Sequence, residues 1–215
     1  MRLAACLAAA LLCACLCACS PGVTVDGMTF VLSEGEATLV RFAGGADRAV
    51  IPDEVNGCPV TAIAEGAFAS ARALTAVSLP EGLQAVGKYA FAKCSALVWV
   101  EFRGENLKRL GEGAFAGCQA LESMTLPRGL EEIGREAFAD CRMLRTALLP
   151  GSVRAIGDRA FSQCAALEAL QLPPSLEELG EYLFAGCEGL CLTVFEGTAG
   201  WEYAVRNELP YDLEE

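Results

Sequence analysis

The sequence predicts an α/β repeat solenoid of about six 23-residue units, each a strand, a turn and a short helix, with a β cap before them and a helical cap after. Three observations predict it. Phenylalanine stands at Phe68, Phe91, Phe115, Phe138, Phe161 and Phe184, a spacing of 23 residues with one step of 24. Cysteine follows three residues later at Cys94, Cys118, Cys141, Cys164 and Cys187, with Ala71 in the first unit. Leucine follows at Leu74, Leu97, Leu121, Leu144, Leu167 and Leu190. A fixed period in the twenties means one supersecondary unit per period, stacked along an axis, because a single unit cannot bury its own apolar face.

One unit shows the logic. From Leu121 to Leu126, Met124 and Leu126 alternate with Ser123 and Thr125, the period-two signature of a strand. Pro127 ends that strand, because proline has no N–H to donate to a ladder. Leu130 and Ile133 return to the core, and Gly134 permits a tight turn. Ala137, Phe138 and Cys141 then fall at helical spacing, which predicts about two turns of helix over 135–141.

The recurring phrase aliphatic-Gly-x-x-Ala-Phe-x-x-Cys-x-x-Leu, with a strand ending in Leu-Pro, resembles the BspA-type leucine-rich repeat family from Ile63 to Leu190. The resemblance implies a right-handed leucine-rich-repeat-like coil. The strand-forming segments Thr29–Leu32, Ala37–Phe42 and Val50–Val60 resemble the family's N-terminal β cap. The segment from Gly197 to Tyr211 resembles its terminal helix and closing strand. Terminal units that shield the open core are required in any solenoid. The expected organisation is therefore a signal at 1–19, a tether and β cap at 20–60, a solenoid at 61–196 and a cap at 197–215. The coil from Leu97 to Cys118 carries the extra residue, with Phe102-Arg103-Gly104-Glu105-Asn106 where its sisters have Leu-Pro, so a wider turn is expected there.

The first nineteen residues read as a secretory signal: Arg2, then an uncharged run from Leu3 to Cys19 rich in Ala, Leu and Cys. Its end, Leu16-Cys17-Ala18-Cys19, resembles a bacterial lipobox and makes Cys19 the candidate lipid acceptor. Leu12-Cys13-Ala14-Cys15 fits nearly as well, and ordinary secretion with a different cleavage is the alternative. The expected location is a bacterial cell envelope or surface, with membrane contact through the anchor.

Composition narrows the partners. Sixteen basic against twenty-eight acidic residues, without a basic cluster, exclude a phosphate-backbone partner, so nucleic acid is ruled out as a ligand. The absence of histidine removes His-based triads, His metal ligands and the commonest general base. Glu131-Glu132 and Glu177-Glu178 occupy equivalent places in their coils and read as a solvated face rather than a catalytic pair, which would need two acids across a cleft. Cys187 and Cys191 make at most half of a four-ligand metal site. Gly44-Gly45 lacks the Lys-Ser/Thr sequel of a phosphate loop. No cofactor, metal or catalytic residue is expected.

The five cysteines in register are read as a ladder of buried thiols acting as small hydrophobes, because side chains at equivalent positions point the same way and alanine replaces one of them. Cys58 and Cys191 lie outside the ladder, and the sequence leaves their redox state open.

Strand alternation supplies the candidate surface. With Val77, Val100, Met124, Ala147 and Leu170 inward, one outward row is Ala76, Trp99, Ser123, Thr146, Ala169 and Leu192. The next is Ser78, Glu101, Thr125, Leu148, Gln171 and Val194. The candidate contact residues for a protein or other macromolecular ligand are Trp99, Glu101, Thr125, Thr146, Leu148, Gln171 and Leu192. Trp99 among small residues is a candidate hot spot; against this stands the fact that single exposed apolar side chains are ordinary. The resemblance implies adhesion and protein binding by a non-catalytic surface protein. The alternative is an envelope spacer or scaffold with no specific ligand.

Overall fold

The structure, a computed structural model, describes residues 22–214. The expected signal, its lipobox-like end and Cys19 lie outside the described residues. The chain winds into a β-solenoid of about eight turns, with repeats about 23 residues apart.

It begins with antiparallel strands β1 (Val23–Val25), β2 (Met28–Ser33) and β3 (Glu36–Phe42). After β4 (Arg48–Val50) and β5 (Glu54–Val55), strand β6 (Cys58–Ile63) pairs with β3 in parallel and starts the coiling. Each later coil contributes a longer strand and a two-residue strand. These are β7 (Ala76–Leu79) and β8 (Ala85–Val86), then β9 (Trp99–Phe102) and β10 (Arg109–Leu110). Next come β11 (Ser123–Thr125) with β12 (Glu132–Ile133), and β13 (Thr146–Leu148) with β14 (Ala155–Ile156). Strands β15 (Ala169–Gln171), β16 (Glu178–Leu179) and β17 (Cys191–Val194) complete the coils. Helix α1 (Ala199–Arg206) and strand β18 (Tyr211–Leu213) follow, β18 pairing with β17 in parallel.

The two-residue strands β8, β10, β12, β14 and β16 stack in one ladder that starts on β6 and is continuous with β1 to β3. The longer strands form a second side that is broken: β4-β7-β9 is one sheet and β11-β13-β15-β17-β18 another. The break follows the extra residue. Four residues separate Leu79 from Leu83 and Leu126 from Leu130, but five separate Phe102 from Leu107.

The expected short helices are absent, and with them the α/β description of the repeats. In the segment 135–141, the N–H groups of Glu136, Phe138 and Asp140 donate to Asp158, Ala160 and Ser162 carbonyls of the next coil. Those of Ala137, Ala139 and Cys141 turn back three residues instead. Glu136 and Asp140 sit at φ 55° and 61°, which no α-helix contains. A neighbouring coil stacked within hydrogen-bond reach outcompetes the i−4 carbonyl. The spacing of Ala137, Phe138 and Cys141 comes from this alternating turn, not from a 3.6-residue period. Gly134 also has a different reason from the one expected: a Cβ there would come within 2.7 Å of the Leu110 carbonyl oxygen, so the glycine lets successive backbones touch.

The core runs the length of the axis. Phe68, Phe91, Phe115, Phe138, Phe161 and Phe184 stack with neighbouring ring planes within 22° of parallel and centroids 4.7 Å apart at the closest pair and 5.9 Å at the widest. Phe42 extends the column at one end, and Tyr203 from α1 meets Phe184 edge-on at the other. Such stacking contributes beyond the area buried.

Candidate protein-interaction face

Trp99 opens β9, and its neighbour Val100 fixes which way it points: Val100 is buried and Trp99 is 57% exposed. The same alternation exposes Glu101 on β9, Thr125 on β11, Thr146 and Leu148 on β13, and Gln171 on β15. Met124, Ala147 and Leu170 are the inward partners of these strands. Parallel register sets Trp99 beside Ala76 and Glu101 beside Ser78. Across the break, Ser123 sits beside Thr146 and Thr125 beside Leu148. Trp99 thus projects beside a small residue, at the edge of the three-stranded sheet.

Leu192 is not on this face. It is fully buried and pairs with inward Leu170, while the outward partners of Ala169 and Gln171 are Cys191 and Thr193. Val194 is buried as well. Three residues separate Leu167 from Leu170, but only two separate Leu190 from Leu192, and a one-residue change transfers a whole strand's side chains to the opposite face. The outward rows are also not continuous from end to end, since β9 and β11 belong to different sheets.

Sequence reasoning missed Val50, which is 65% exposed and lies beside Ser78 in the same row as Glu101. A signal was available: Ile51-Pro52 repeats the aliphatic-Pro ending of the later strands. Val50, Trp99 and Leu148 (64% exposed) are the large apolar side chains of this side. Polar neighbours are tied among themselves. The Ser78 hydroxyl donates to Glu101 Oε2 at 2.8 Å, and Gln171 Nε2 donates to Glu214 Oε2 at 2.6 Å.

The glutamate pairs lie on the other sheet, as a solvated face should, and Glu131, Glu132 and Glu177 are partnered across coils. Lys108 Nζ reaches Glu131 at 2.6 Å, Arg109 reaches Glu132 at 2.5 Å, and Arg154 reaches Glu177 at 2.9 Å. The Lys108 ammonium holds the Glu131 carboxyl below its ordinary range by hydrogen bond and charge. A shallow concavity of about 590 Å³ opens on the turn side between Tyr89, Lys93, Gln119 and Asp140. Its charges, Arg72 and Lys93 against Glu136 and Asp140, are balanced in sign, which gives no preference for an ionic small ligand.

The cysteine ladder is buried and free: Cys94, Cys118, Cys141 and Cys164 are inaccessible, and Cys187 nearly so. Each thiol also donates to the phenylalanine carbonyl of the preceding coil, from Cys94 to Phe68 at 3.1 Å through Cys187 to Phe161 at 3.2 Å. Those carbonyls already accept one backbone N–H, so the thiol fills the second lone pair. Ala71 heads the ladder, where no earlier repeat stands behind it. Cys58 and Cys191 are free thiols, and Cys191 faces outward while Cys187 faces in.

The repeat pattern that generates this geometry matches the model of the BspA type leucine rich repeat region, in six copies over residues 61–191. The chain belongs to the BspA-type leucine-rich repeat family. Among solved structures it is similar to a leucine rich repeat protein of T. pallidum, at 29% identity over 90% of this chain and 98% of that one, with a TM-score of 0.77. It is similar also to a leucine rich cell surface protein of Faecalibacterium prausnitzii, at 25% identity over 82% of this chain and a TM-score of 0.61; this chain spans 55% of that one. A leucine-rich repeat protein of Bacteroides capillosus is 35% identical over 60% of this chain and 97% of its own, with a TM-score of 0.53. Curated proteins yield no match.

Proposed function

We propose that this BspA-type chain is a non-catalytic bacterial envelope protein that binds a macromolecular partner, most simply a protein, through the side bearing Trp99. The observation that carries the reading is the exposure of Trp99 beside the small residue Ala76 in register, on a rigid stack whose inward side chains are all occupied by the core. Tryptophan supplies a large contact area with few rotatable bonds, which is why it concentrates binding energy. Leu148 and Val50 offer further apolar contact, and Glu101, Thr125, Thr146 and Gln171 supply hydrogen-bonding groups around them. The name of the Faecalibacterium prausnitzii neighbour supports a surface location. The lipobox-like run ending in Cys19 supports a lipid anchor there.

Two experiments test the reading. Pull-downs from envelope and host-matrix extracts with wild type and Trp99→Ala should recover a partner that only the wild type retains; equal recovery would remove Trp99 from the site. Labelled fatty acid should enter the wild-type chain expressed in a bacterial host and not Cys19→Ser. Persistent labelling of that variant would move the acceptor to Cys15.

A further inference from the structure

Every other long strand from β7 to β15 ends, at or just beyond its last residue, in an aliphatic residue followed by proline: Leu79-Pro80, Leu126-Pro127, Leu149-Pro150 and Leu172-Pro173. The exception is β9, where Phe102 is followed by Arg103. A proline could not do what Arg103 does. The Arg103 Nε donates to the carbonyl of Leu79, the last residue of β7, at 3.0 Å. Its terminal nitrogens donate to the Ile51 carbonyl at 2.7 Å and to Asp53 Oδ2 at 3.0 Å, just after β4. The guanidinium also pairs with Asp53 Oδ1 at 2.9 Å, and that oxygen in turn accepts the Glu81 N–H at 2.9 Å. The side chain is 26% exposed, so this charge is largely withdrawn from water.

Two neighbours make room for it. Gly104 lies so close to the preceding coil that a Cβ would come within 1.9 Å of the Glu81 carbonyl oxygen. Asn106 Nδ2 donates to the same carbonyl at 3.2 Å. Two departures therefore meet in this coil. Strand pairing between β9 and β11 stops where the extra residue stands, and Arg103, in the place of the proline, sends its side chain back across two coils.

We propose that Arg103 is a clamp that binds the strand ends of β4, β7 and β9 into one cooperative block, with the break after β9 as the seam between that block and the five-stranded sheet. A planar guanidinium with donors on three nitrogens suits the task, since it reaches carbonyls and a carboxylate in one geometry; a lysine ammonium is a point charge. Solenoids are stabilised by nearest-neighbour interfaces, so a side chain spanning three levels adds coupling that ordinary repeats lack. The proposal does not depend on what, if anything, binds at Trp99.

Native-state amide hydrogen exchange on the chain tests it, comparing wild type with Arg103→Lys and Asp53→Asn, and with Arg145→Lys as an exposed arginine control. Both clamp variants should lose protection by about tenfold or more at amides of the first block, such as Ile51 and Glu81, as expected for lost hydrogen bonds to a charged group. Amides of β13 and β15 should change by less than about twofold, on the view that the seam isolates local opening. A loss of equal size on both sides of the seam would overturn the proposal by showing one undivided cooperative unit. Unchanged protection in both clamp variants would overturn it by showing that Arg103 holds nothing together.

Discussion

The cysteine ladder shows how one residue type does two jobs. Its size fits a gap beside the aromatic column, and its S–H reaches a carbonyl one coil back, which alanine could not do. The sequence revealed the burial, because five thiols in register with one alanine describe a small apolar site. It could not reveal the hydrogen bond, which depends on the stacking distance. Burial pushes the Cys94 thiol up to about 11 and the Cys141 thiol up to about 12, from an ordinary 9.0. Because the native state keeps these protons while the unfolded chain releases them, stability must fall as pH rises above 9.0. Each fully protected thiol costs about 1.4 kcal/mol per pH unit in that window. Urea unfolding at stepped alkaline pH should show this decline, and Cys141→Ala should show a shallower one. The ladder thiols should also resist thiol reagents until the chain is denatured; ready labelling of the native protein would contradict their burial. At the column itself, Phe115→Ala should cost about 3–5 kcal/mol by opening a cavity between two rings, read as a drop in the unfolding midpoint.

At the scale of elements, periodicity located the longer strand of each repeat but not the two-residue strand that follows it, and it misjudged two features that depend on counting and on neighbours. The first is β17, where one missing residue before the strand turns Leu192 and Val194 inward. A substitution pair tests that register. Leu192→Asp should destabilise the chain by several kcal/mol, because it buries a charge without a partner. Thr193→Asp, on the outward side, should change stability by no more than about 0.5 kcal/mol. Thermal melts of the two variants decide it, and the reverse order would restore the original register. The second feature is the segment after each glycine turn. Its apolar spacing imitates a helix, yet residues at positive φ and carbonyls of the adjacent coil produce an alternating turn. A single-sequence period cannot distinguish these, since the competing acceptor lies 22 or 23 residues away.

For the whole molecule, the repeat period was enough to establish a stacked architecture, and the recurring phrase resembled the family that the match over residues 61–191 shows. The broken side was not legible. The extra residue near Arg103 announced a wider turn, but not that two sheets would separate there or that Arg103 would reach back to Asp53. The ends were partly legible: Phe42 and Tyr203, which extend the aromatic column, lie outside the repeat period and only the fold brings them to it. The proposed interaction face rests on the alternation of β9, β11, β13 and β15, and the proposal turns on Trp99. Parallel binding titration and thermal melting of Trp99→Ala, against the partner recovered by the wild-type chain, test that most directly. The expected result is a loss of about 2 kcal/mol in binding, roughly a thirtyfold weaker Kd, with the melting temperature unchanged. A variant that melts early yet binds as tightly as the wild type would contradict it, placing Trp99 in the core and the recognition surface elsewhere.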